Sequence, residues 1–161
     1  MKRLSGQPAT SISLKGRLLA AGIFAISAGC ASLPGASPYA GQEARQIKAL
    51  SATEIAAYVE GKGQGFAKPA ELNGYPGPMH VLELADQLAL TEQQKEASKA
   101  LLVKHKTEAR ELGVAYVSAE AALEKLFASR LATPEALGVA IENSAKIHSL
   151  IRGAYLQTHL Q

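Results

Sequence analysis

The chain of 161 residues is long enough for one ordinary domain and too short for two. Its 17 basic and 14 acidic residues give a net charge of +3, but four of the basic residues lie in the first 29 positions, where there is no acid. Residues 30–161 therefore carry a net charge of −1, and without a cluster of positive charge we expect no nucleic-acid partner.

Residues 1–29 have the pattern of a secretory signal. Four basic residues precede the apolar run 18–26 (LLAAGIFAI), which ends in small residues before Cys30. The run is too short for a transmembrane helix, and the alternative is a buried N-terminal helix. We predict a cleaved signal over 1–29 and export to the periplasm of a Gram-negative bacterium.

Cys30 is the only cysteine, so no intramolecular disulfide can form. The ending Ala28-Gly29-Cys30 resembles the lipobox of bacterial lipoproteins, which implies that Cys30 is lipidated and anchors the protein to a membrane. The alternative is an ordinary cleaved signal and a soluble periplasmic protein. Residues 30–49 begin with a stretch rich in Ala, Ser, Pro and Gly and are predicted to form a flexible tether.

Residues 50–161 are predicted to form an all-α domain. Ser51 begins a capping box at the start of a short helix. The glycine- and proline-rich stretch 61–78 is predicted to be loop. The amphipathic pattern of residues 79–89 predicts a second short helix. No segment shows the alternation of a β-strand.

The sequence LTEQQ marks a hinge between helices. Leu90 precedes Thr91, whose side chain can form a capping box with Gln94 at the start of a helix that runs to about residue 129. Thr133, followed by proline, is predicted to cap the last helix. A short turn between two long amphipathic helices predicts an antiparallel hairpin. Because one hairpin leaves apolar surface exposed, we expect a homodimer.

The Leu-Thr-x-x-Gln pattern before a long helix, on a secreted helical chain, resembles the Spy/CpxP superfamily over roughly residues 50–161. That superfamily includes periplasmic chaperones and heavy-metal sensor or resistance proteins. The resemblance implies a metal-binding sensor or resistance protein with a membrane signalling partner, or an ATP-independent chaperone that binds unfolded clients. A structural envelope protein is a third alternative. A second LTxxQ-like motif, usual in the family after the last long helix, is not found, which counts against the chaperone.

Histidine placement favours the metal-binding alternative. His105 and Glu108 share a face of the long helix, and a turn near residue 132 places His159 opposite His105. Neutral imidazoles with a carboxylate suit Zn²⁺, Cu²⁺, Ni²⁺ or Co²⁺. We predict that His105, Glu108 and His159 are ligands, with His80 or water as a fourth. The alternative is that these histidines are packing residues.

The same hairpin register places His148 opposite Tyr116. No HExxH or GxSxG motif is present, and there is no second cysteine. We therefore predict that the protein is not an enzyme.

Overall fold

A computed structural model describes residues 37–161, so the predicted signal segment and Cys30 lie outside the described residues. The described part contains five helices and no strand, which confirms the all-α prediction. The helices are α1 (Ala52–Val59), α2 (Lys68–Glu71), α3 (Pro78–Glu83), α4 (Glu92–Ala128) and α5 (Pro134–Thr158). Over residues 37–161, none of them is both long and apolar enough to cross a membrane.

Both predicted capping boxes are present. The hydroxyl of Thr91 accepts from the backbone N–H of Gln94 at 3.2 Å, and the Gln94 side chain accepts from the backbone N–H of Thr91 at 2.9 Å. Ser51 and Glu54 form the same pair at the start of α1. Each box satisfies backbone donors that the first turn of a helix leaves without a partner. The predicted start of α4, directly after Thr91, is therefore confirmed.

We expect Thr91→Ala to lower the free energy of unfolding by about 1 kcal/mol, because it leaves the N–H of Gln94 without its acceptor. Thermal denaturation of the full chain measures this, and Thr91→Ser, which keeps the hydroxyl, is the control. A variant that lost suppression of client aggregation but kept its stability would instead show that LTEQQ contacts clients.

The predicted hairpin register is confirmed at two levels. In its middle, Ser144 donates a hydrogen bond to the buried carboxylate of Glu120. One turn further from the hairpin turn, the ring of His148 lies 5.2 Å from that of Tyr116. The two long helices therefore run antiparallel with their turn near residue 132, and the end of α5 lies beside His105 of α4.

The core consists of aromatic, large aliphatic and alanine residues where α1 and the 61–67 loop cover the hairpin. Its buried members are Ile47, Leu50, Tyr58, Phe66, Ala67, Ala109, Ile151 and Tyr155. Ile47 lies before residue 50, so the packed part of the chain begins earlier than the predicted domain boundary. Ile141, near the turn end of the hairpin, is 50% exposed.

Two short segments also differ from the sequence prediction. The stretch 61–78, predicted to be loop, contains α2. The helix predicted over 79–89 ends at Glu83 and continues as turns, with Ala89 in the left-handed region at φ +49°. These segments lie beside the open end of the hairpin, where they form one wall of a cavity.

Candidate functional site

Three of the four histidines line one cavity of about 380 Å³ at the open end of the hairpin. His105 projects from α4, His159 follows α5, and His80 belongs to α3. The glycine-rich loop 61–65 and Met79 complete much of the wall. The hairpin and the short N-terminal helices thus bring together residues that are far apart in the sequence.

His159 is held in one orientation. Its side chain is 6% exposed, and Nδ1 lies 2.7 Å from the backbone carbonyl oxygen of Tyr155. Because a carbonyl oxygen can only accept, Nδ1 carries the proton, and Nε2 of the neutral ring has a free lone pair. Nε2 lies 3.5 Å from Oε1 of Glu71.

His80 has the same arrangement on a more exposed ring. Its Nδ1 lies 3.0 Å from Oε2 of Glu83, one turn along α3. A carboxylate accepts this hydrogen bond, so Nδ1 again carries the proton in the neutral ring. The Nε2 atom lies 3.8 Å from Oε1 of Glu71, the oxygen that also faces His159.

His105 is oriented by Thr158. The Thr158 hydroxyl donates to the carbonyl of Ala154 at 2.8 Å, so its oxygen accepts from Nδ1–H of His105 at 3.1 Å. The ring also packs edge-on against Tyr155, with 4.5 Å between centroids. Burial lowers the pKa of His105, and the effect of nearby Glu108, which raises it, is smaller. His105 is therefore a neutral imidazole at pH 7, the form that binds metals.

Glu108, the remaining predicted ligand, and His148 do not line this cavity. Glu108 is exposed and lines a neighbouring cavity beside His105, together with Lys104 and Glu111. His148 lies in the aromatic core, with its ring 5.2 Å from the rings of both Phe66 and Tyr116. The carboxylate that the structure brings to two of the histidines is Glu71, not Glu108.

Sequence reasoning missed Glu71 because the residue lies in a stretch whose glycines and prolines indicated only loop. Helical periodicity, which selected His105 and Glu108, carries no information about a four-residue helix. One glycine in this stretch marks its close approach to the hairpin. A Cβ on Gly77 would lie 2.7 Å from Nε2 of His159, so the stretch needs a glycine where it passes this ring.

A bound metal ion would need a tighter arrangement of side chains than this cavity has. With the side-chain positions that the structure gives for residues 37–161, no group of three or more His, Cys, Asp or Glu is arranged to hold a metal ion. Neighbouring ligands of a tetrahedral zinc ion lie about 3.3 Å apart, given zinc–nitrogen distances of about 2.05 Å. Glu71 is therefore only a few tenths of an ångström too far from each imidazole, and its side chain is 41% exposed and can rotate.

The described residues thus define an all-α hairpin protein with three oriented histidines in a cavity at its open end. No family model, curated protein or solved structure matches this chain.

Proposed function

We propose that this chain is a non-enzymatic periplasmic metal-binding protein of the heavy-metal sensor or resistance type, related to the Spy/CpxP superfamily. The observation that carries the proposal is the shared orientation of His80, His105 and His159. Each ring places Nδ1 against a hydrogen-bond acceptor, and all three rings line one cavity. The expected ion is Zn²⁺, Cu²⁺, Ni²⁺ or Co²⁺.

This arrangement is the one that metal-binding histidines usually have. The N–H of the nitrogen that does not bind the metal donates a hydrogen bond to a carboxylate, a carbonyl or another acceptor, which fixes the tautomer and the ring plane. Here the acceptors are Glu83, Thr158 and the backbone of Tyr155. A packing histidine needs only one satisfied polar contact and has no reason to share its cavity with two others.

Calorimetric titration of the metal-free full chain tests the proposal. We expect saturable binding of one equivalent of at least one ion among Zn²⁺, Cu²⁺, Ni²⁺ and Co²⁺. Mg²⁺ is the control, because it prefers oxygen ligands and should give no binding at this histidine cavity. Absence of binding for all four transition metals would contradict the proposal.

A chaperone is the second candidate, and the exposed apolar surface of the hairpin favours it. Large apolar side chains project into solvent along both long helices and their connecting turn: Val103, Val114, Phe127, Leu131, Val139, Ile141 and Leu150. Such surface can bind unfolded clients, or it can be covered in the homodimer that we propose. Suppression of client aggregation by the metal-free protein would favour the chaperone.

The proposed periplasmic location includes a lipid anchor at Cys30, which would place the domain beside a membrane signalling partner. We expect the mature protein to begin at an acylated Cys30, with more than one acyl chain, because one chain gives only marginal membrane binding. Mass spectrometry of the mature N-terminus measures this. Cys30→Ser should release the protein from the membrane fraction, and an unmodified N-terminus at Ala31 or later would contradict the prediction.

A further inference from the structure

Glu71 lies between two histidines from different parts of the chain. One oxygen, Oε1, is 3.5 Å from Nε2 of His159 and 3.8 Å from Nε2 of His80. When both rings are neutral with Nδ1 protonated, all three of these atoms are acceptors that carry lone pairs. Three acceptors in one place repel one another unless a cation lies between them.

The stretch that carries Glu71 is held at both ends and exposed between them. Phe66 and Ala67 are buried before it, Gly77 and Pro78 are buried after it, and residues 71–76 are all exposed. Within this 71–76 stretch, the Asn73 side chain donates to the carbonyl of Pro69, and the backbone N–H groups of residues 72–75 donate to carbonyl oxygens of residues 68–71. Glu71 is the side chain of the stretch that comes within ion-pair distance of α3 and of the end of α5.

We propose that Glu71 is the carboxylate ligand of the metal site and that the bound ion fixes the 71–76 stretch against the end of α5. This inference rests on the proposed metal-binding function. His159 supplies a buried ligand at the end of α5, while Glu71 supplies one from the end of α2 and His80 supplies one from α3. An ion bound by all three therefore joins the 71–76 stretch to the end of α5 through the Glu71 side chain, in addition to the close approach of Gly77 to the His159 ring. Metal binding thereby orders the exposed surface of the 71–76 stretch. This surface includes Leu72, which is 82% exposed, and Tyr75.

Calorimetry and amide hydrogen exchange on the full chain, with Zn²⁺ as the probe, test the inference. In the parent protein, Zn²⁺ should slow exchange in residues 71–76 at least about tenfold, because local opening must now break a metal bond. Residues 129–133, in the hairpin turn, are the internal control and should not change.

Glu71→Gln removes the negative ligand and keeps the size of the side chain. We expect its affinity for Zn²⁺ to fall at least about tenfold, and the protection of residues 71–76 to be lost even with Zn²⁺ in excess. The thermal stability of the metal-free variant should equal that of the parent, because Glu71 is exposed. Glu96→Gln, which removes an exposed carboxylate paired with Lys99 on α4, is the matched control and should behave as the parent.

The possible results distinguish a failure of Glu71 as a ligand from a failure of metal binding itself. Parent-like affinity in Glu71→Gln would overturn Glu71 as a ligand and leave the histidine site intact. Tight binding without a change in exchange would overturn the ordering of the 71–76 stretch. No Zn²⁺ binding in the parent protein would overturn this inference, and no binding of any of the four metals would overturn the proposed function as well.

Discussion

Replacing Gly113 with alanine should lower the free energy of unfolding by about 3 kcal/mol, the upper end of the usual cost of overpacking a core. A Cβ at this position would lie 1.9 Å from the backbone carbonyl oxygen of Tyr58, at the end of α1. Neither side can adjust by rotating a side chain, because both contacting groups are held by helical backbone. Helix α1 would have to move away from α4 and take Tyr58 out of the core.

Thermal denaturation of the full chain measures this effect, and we expect the melting temperature to fall by roughly 10 °C for a folded unit of this size. Gly138→Ala is the matched control. Gly138 also lies inside a long helix, but a Cβ there meets nothing within 4 Å. That substitution should stabilise the protein by up to about 1 kcal/mol through helix propensity. Equal melting temperatures for Gly113→Ala and the parent would show that α1 does not pack this closely on α4.

Sequence reasoning predicts the local features of this fold. Capping boxes at Ser51 and Thr91 are local chemistry, since the partners are three residues apart. The hairpin register follows from the position of one short turn and the fixed rise of a helix. Both were therefore predictable from the sequence.

Packing between distant segments was not predictable in the same way. The buried face of α4 contains Ala109, Gly113 and Ala119, because α1 and α5 approach its backbone closely. A periodic pattern of large apolar residues cannot reveal a face that is buried because its side chains are small.

The candidate site also has a part that local sequence rules predict and a part that depends on the packing of distant segments. The histidines on the hairpin were found because helix geometry and the turn position fix where they lie. Glu71 was missed, since its approach to His159 depends on the path of the 71–76 stretch across the end of α5, which no short-range rule determines.

Loss of metal affinity on replacing single histidines is the second large effect that we expect. His105→Ala and His159→Ala each remove one imidazole from the cavity, and each should weaken binding at least about tenfold. Isothermal titration of the full-length variants, with the transition metal that the parent binds most tightly, measures this. His80→Ala should also weaken binding, because its Nε2 faces the same carboxylate oxygen as His159.

His148→Ala is the control that separates binding from packing. Its ring lies in the aromatic core, 5.2 Å from the rings of Phe66 and Tyr116, and does not line the cavity. We therefore expect lower thermal stability with metal affinity close to that of the parent, the reverse of the pattern expected for His159→Ala. Glu108→Gln should likewise have little effect, because Glu108 lines the neighbouring cavity. Equal losses of affinity in the His105, His148 and His159 variants would indicate nonspecific surface binding and would remove the main support for a metal site at the open end of the hairpin.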